Sequence, residues 1–156
     1  MKKLLAVGGV LLGFTVPAIA DTLDAAGTGY GKSNNIIMPV SEALMIIQAS
    51  TDYERFNTAE GNPMAGFSGP CFGSIMVNSG AVTGGGSCYY TDADGEVAII
   101  RWNADGMSPD GRTQGSWSVI GGSGKWLGAS GGGRFDAGEN EATGYTNNVT
   151  GEIRLR

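Results

Sequence analysis

The clearest pattern in the chain lies at its C-terminal end. Val149, Gly151, Ile153 and Leu155 share one parity, and Thr150, Glu152, Arg154 and Arg156 share the other. Alternation with period two marks a strand with one buried and one wetted face. Ser116 to Ile120 repeats it less regularly, with Trp117 and Val119 on a common face. The continuous apolar stretch Ala43 to Ala49 predicts a first strand, with a helix from near Ser41 as the alternative, because such a run does not distinguish the two by period. Residues 51–65 read as a long connection, with Gly61-Asn62-Pro63 as its turn signal. Further strands are predicted near 66–77, 86–92, 96–103, 113–120, 124–130, 132–137 and 143–155. About eight short strands predict an all-β chain closed into a small antiparallel barrel, which removes exposed sheet edges.

The first residues follow another pattern. Lys2 and Lys3 precede an apolar run from Leu4 to Val16, and Ala18-Ile19-Ala20 supplies the small residues a signal peptidase accepts. The run is shorter than the ~20 residues of a spanning helix. Residues 1–20 are therefore read as an export signal cleaved after Ala20, placing the mature chain in the periplasm or outside the cell. No Cys follows the cleavage site, which argues against a lipid anchor. Residues 21–40, polar and Gly-rich at their start, read as a flexible lead-in, and residues 41–156 as one barrel domain. No second apolar stretch of spanning length follows, so membrane insertion of the mature chain is not expected.

Composition sharpens this picture in three places. The 28 glycines recur between short apolar pieces without a collagen period, as turns between strands do. Acidic residues number 15 against 10 basic ones, a surplus that repels phosphate backbones and disfavours nucleic acid as a partner. Cys71 and Cys88 are the two cysteines of a chain without histidine. They make a poor zinc site, so no metal is expected, and in an oxidising compartment they are most simply a disulfide. Both are equidistant from the Ser79-Gly80 step, so a hairpin folding there sets the two thiols opposite each other. Without histidine, every Ser-His and Cys-His nucleophile scheme is excluded.

Candidate chemistry is sparse. Gly27 to Ser33 (GTGYGKS) resembles the end of a phosphate-binding loop but lacks the first glycine and the strand-to-helix context. Thr91 to Glu96 has the flavour of a calcium loop but falls short in ligands, and an Asp-Gly turn explains it. Asp92, Asp94, Glu96 and Asp136, with Arg101, Arg112 and Arg134, form a group in which two acids sharing a cavity can perform acid–base work. No cofactor is implied. The aromatics Tyr89, Tyr90, Trp102, Trp117, Trp126, Phe135 and Tyr145 read first as core. Tyr89, Trp102, Trp117 and Tyr145 are the candidate lining for an apolar ligand.

Residues 116–135, SWSVIGGSGKWLGASGGGRF, are the most distinctive segment. They resemble the strand–turn–strand signature of the allene oxide cyclase and dirigent-like barrels through Gly121, Gly122, Ser123, Gly124, Lys125 and Trp126, followed by Gly128 and Gly131. A looser resemblance runs from Gly66 to Leu155, nearest to exported bacterial proteins with this barrel. It implies an eight-stranded calycin-like barrel, with homo-oligomers as in many plant members. Gly121, Gly122, Gly124 and Trp126 are turn-forming residues in this motif and carry no catalysis. The function expected is an exported barrel that binds a small apolar molecule or presents a surface. The alternatives are an allene oxide cyclase-like isomerase using a pocket acid, and an envelope protein with a solid interior.

Overall fold

The computed structural model describes residues 21–155, and the predicted export signal lies outside them. Ten strands occur in chain order: β1 (Thr22–Asp24), β2 (Gly27–Ser33), β3 (Ile36–Pro39), β4 (Leu44–Thr58), β5 (Gly69–Asn78), β6 (Ala81–Thr91), β7 (Val97–Met107), β8 (Thr113–Gly122), β9 (Ser130–Asn140) and β10 (Gly144–Arg154). All pairings are antiparallel, and β10 pairs with both β9 and β2, so the sheet closes on itself. β1 and β2 pair successively along β10, while β2 and β3 pair successively along β4. These three short strands occupy one position in the wall, and the barrel has eight.

The segment expected as a flexible lead-in, 21–40, is thus part of the wall. Its glycines are required by the interior: a Cβ on Gly29 would lie 2.7 Å from the Phe56 ring. The phosphate-loop look-alike is β2 itself. The expected first strand, 43–49, extends through Thr58, and the connection expected from residue 51 begins after it. The period was hidden because a register shift opposite Tyr30/Gly31 moves the inward parity from Thr51 and Tyr53 to Phe56. The strand expected at 124–130 is instead a 3-10 turn at Gly124–Trp126.

Inward positions follow the period of two. Ala98, Ile100, Trp102 and Ala104 of β7 and Trp117 and Val119 of β8 are buried. The β5–β6 hairpin turns at Ser79 (φ 52°) and Gly80 (φ 83°), the positive-φ pair of a tight hairpin turn. Cys71 therefore lies directly opposite Cys88, and the two form a disulfide. Gly73 and Gly86 leave room behind Trp102, since a Cβ on either would lie 2.6 or 2.7 Å from its indole.

The two ends of the barrel differ. One end is closed by the 59–68 loop, the 92–96 turn and the 123–129 connection, which bury Phe67 and Trp126 completely and Met64 to 3 % exposure. At the other end β3, the first half of β4 and the last half of β5 carry exposed apolar side chains on both faces. Ile37 (63 % exposed) continues the inner parity through its ladder partners Ile47 and Ile75. Met38, Ile46 and Met76 make an outer cross-strand row, with Ile36 and Phe72 exposed nearby. No charged residue occurs between Gly61 and Thr91, or within β3, and exposed Glu42 stands in the turn that joins β3 to β4. Pro39, which lacks an N–H, falls on the edge of β3 that faces away from β4, since Asn34 and Val40 donate toward β4.

Candidate functional site

The interior holds one apolar cavity of about 80 Å³. Its floor is aromatic: Phe56 and Tyr90 sit 5.5 Å apart, and behind them Phe67 contacts Tyr90 and Trp126, each at 5.1 Å between ring centres. Its walls come from Trp102, Trp117, Phe135, Ile75, Ile100 and the disulfide, and Asn35 and Thr113 stand among its polar lining. Trp102 and Phe135 meet edge to face at 6.3 Å.

A polar corner interrupts the apolar wall. Tyr53, Tyr145, Thr51 and Asn147 all line the cavity. Burial pushes the Tyr53 hydroxyl well above its ordinary value, reinforced by its tyrosine neighbours. Burial likewise raises Tyr145, which hydrogen bonds with Thr51 and Tyr53 only partly offset, and it raises Tyr90. The corner is therefore neutral across the physiological range. Among the described residues, two buried side-chain atoms have no hydrogen-bond partner, Trp102 Nε1 and Asn147 Oδ1, and both belong to residues lining this cavity. The indole of Trp117, by contrast, donates to the Thr150 carbonyl at 3.1 Å.

Three of the four candidate ligand residues, Trp102, Trp117 and Tyr145, line the cavity. Tyr89 does not: it is 47 % exposed on the outer face. The inward parity of β6 belongs to Cys88 and Tyr90, so the adjacent tyrosine takes the place expected of Tyr89. Tyr53 and Phe56 carry no period-two signal in the sequence, because the register shift of β4 falls between them.

The carboxylates lie elsewhere. Asp92, buried in the closed end, accepts from the backbone amides of Asp94 and Glu96, each at 2.9 Å, from Trp126 Nε1 at 2.8 Å and from Lys125 Nζ at 2.9 Å. Burial opposes its ionisation, but these donors outweigh it and hold the carboxyl at about 2. Glu96 accepts from the Lys125 amide at 2.9 Å, under the positive-φ Gly124. Gly122 is demanded by the same junction, since a Cβ there would lie 1.8 Å from the Val97 carbonyl oxygen. Asp94 is an exposed partner of Lys125.

Asp136 is on the outer face, paired with Arg112 and accepting from Gln114 at 2.9 Å. The Arg112 guanidinium also donates to the carbonyls of Asp136, Gly138 and Thr146 and to the Thr146 hydroxyl. Arg134 pairs with Asp105 on the surface. Arg101 is exposed at an outward position of β7. Among the described residues, no carboxylate reaches the cavity wall.

No family model matches the chain. No curated protein matches it either. Among solved structures it is similar to the pterocarpan synthase dirigent protein, with a TM-score of 0.53 and 10 % identity over 97 % of this chain and 96 % of that one. At that identity the likeness concerns fold. The closed eight-position antiparallel wall and this match agree: the chain has the β-barrel fold of that dirigent protein.

Proposed function

We propose that this chain is an exported barrel that takes up a small, largely apolar molecule at the open end of its interior. The observation that carries the reading is the aromatic cavity of about 80 Å³, backed by a sealed floor. The size bounds the occupant. Drug-sized ligands occupy roughly 300–1,000 Å³, and an engineered cavity of about 150 Å³ takes up benzene. A molecule held here is therefore slender, or leaves part of itself in the mouth against Ile37. The disulfide fits an oxidising compartment, which supports the export reading of residues 1–20. The cyclase alternative loses support because Asp92, Asp94, Glu96 and Asp136 are spent on structural contacts outside the cavity. Titration of small apolar probes against intrinsic tryptophan emission tests the reading. Saturable change, abolished when Ile75→Trp fills the cavity, supports it; no response from any probe refutes it.

One observation favours a surface role as well. The outer row Met38, Ile46 and Met76, with Ile36 and Phe72, is exposed and itself carries no charge in an acidic chain, the nearest carboxylate in sequence being Glu42 in the β3–β4 turn. Two copies of such a chain repel each other except where their uncharged faces meet. The occupant of this face is accordingly a second copy of the barrel. Pro39 blunts strand addition along β3, so contact is face to face. Light scattering of the mature protein checks this: a concentration-dependent oligomer lost in Met38→Ser/Met76→Ser supports it, and a monomer at all concentrations refutes it.

A further inference from the structure

The two unpartnered atoms in the cavity specify more than apolarity. Trp102 Nε1 is a donor without an acceptor, in a residue 9 % exposed, while Asn147 Oδ1 is an acceptor without a donor. A buried indole N–H ordinarily finds a partner, as those of Trp117 and Trp126 do here. An unsatisfied buried donor or acceptor costs about 1–3 kcal/mol. Trp102 cannot turn away to seek a partner, because its ring is seated over Gly73 and Gly86. The neighbouring tyrosines, Tyr53 and Tyr145, line the same cavity, and neither atom finds a partner among them.

Resting on the proposed ligand-binding reading, we infer that the occupant is an uncharged molecule whose polar groups are hydroxyls, accepting from Trp102 Nε1 and donating to Asn147 Oδ1. A hydroxyl can serve either atom, since it both donates and accepts. A carboxylate or an ammonium is disfavoured because no charged side chain of the wall compensates its desolvation. A hydrocarbon fits the apolar wall but leaves both atoms unpaired, so the site discriminates by what its polar atoms lack.

The test uses three molecules of similar size and the mature, oxidised protein: 1-butanol, methyl propyl ether and n-pentane. The alcohol both donates and accepts, the ether only accepts, and the alkane does neither. Binding is followed by the indole ¹H–¹⁵N resonances, with Trp102 assigned from Trp102→Phe. The Trp102 resonance is expected to shift with the alcohol and the ether and to stay nearly fixed with the alkane. Trp102→Phe should weaken the alcohol and the ether about fivefold while changing the alkane less than twofold, the scale of one net hydrogen bond. Asn147→Leu should weaken the alcohol alone. If these substitutions alter all three molecules equally, the unpaired atoms select nothing and the hydroxyl inference falls, while the apolar cavity reading stands. If none of the three binds the wild-type protein, both fall together.

Discussion

At the closed end of the barrel the interior is packed and its buried carboxylate is fully bonded. Trp126 and Phe67 are fully buried against each other, and the Asp92 carboxylate has four donors from the two connections it joins. At the open end the same chain is locally inconsistent. Ile36, Ile37 and Met38 are exposed in a strand paired on one side, with Val40 exposed just beyond it, and an indole N–H and an amide oxygen of cavity-lining residues have no partners. The physical meaning of the difference is a division of labour. Buried aromatics and a fully bonded carboxylate stabilise one end, although Leu127 on its outer side is 73 % exposed, and unpartnered polar atoms in the cavity mark the other. The two ends should therefore respond to substitution in opposite ways: stability at one, binding and association at the other.

The largest stability effect is expected at the closed end. Trp126→Ala removes a fully buried indole and the N–H that Asp92 accepts. Truncations of this kind cost about 3–5 kcal/mol, and the loss of one of the four donors to the buried Asp92 carboxylate places this one toward the upper part of that range. Denaturant unfolding followed by circular dichroism measures it. A loss below about 1 kcal/mol would show that the closed end is not where stability resides. Next comes the disulfide, which joins β5 to β6 across a separation of 17 residues. Removing it as Cys71→Ser/Cys88→Ser should cost about 3 kcal/mol in the chain-entropy account, with the same unfolding experiment as readout.

Acid should act on the closed end too. The folded carboxyl of Asp92 sits at about 2 against an ordinary 3.8. A depressed carboxylate contributes stability that is fully present above the unfolded value and lost as pH falls through the folded one. The difference amounts to about 2 kcal/mol, lost between about pH 4 and pH 2. Asp136, whose ionisation burial opposes and Arg112 and Gln114 favour, and the exposed Asp105, lowered by its bond to Arg134, shift in the same direction. Asp92→Asn should flatten the acid limb of stability against pH without abolishing it, and an unchanged limb would count against the assignment.

The same contrast explains what could be read from residues alone. The barrel was legible because β10 keeps a strict alternation, and the disulfide because Ser79-Gly80 is a hairpin turn midway between the cysteines. Trp126 was legible as a turn residue through the glycines around it, though not its bond to Asp92, which joins turns 34 residues apart. Three things stayed hidden. β1 to β3 are short, β2 is Gly-rich, and all three become strands only by pairing along β10 and β4. β4 loses its period at the register shift. Tyr89 and Tyr90 are adjacent, and strand parity cannot be assigned from a pair of identical residues without the register that puts Cys88 inside.

The smallest stability effect, and the one that most sharpens the comparison, belongs to the open end. Met38 and Met76 are 41 % and 42 % exposed and lie in one outer row with Ile46. Replacing both with serine removes little buried area from the monomer, so unfolding at low concentration should change by less than about 0.5 kcal/mol, as surface substitutions do. Association should respond far more, because each methionine is then buried against its counterpart on a second copy. Sedimentation velocity across a wide concentration range separates the two effects. Loss of the oligomer with an unchanged monomer would place association at the open end and stability at the closed one. Destabilisation of the monomer comparable to Trp126→Ala would mean that the outer row belongs to the fold after all, and the division between the two ends would fail.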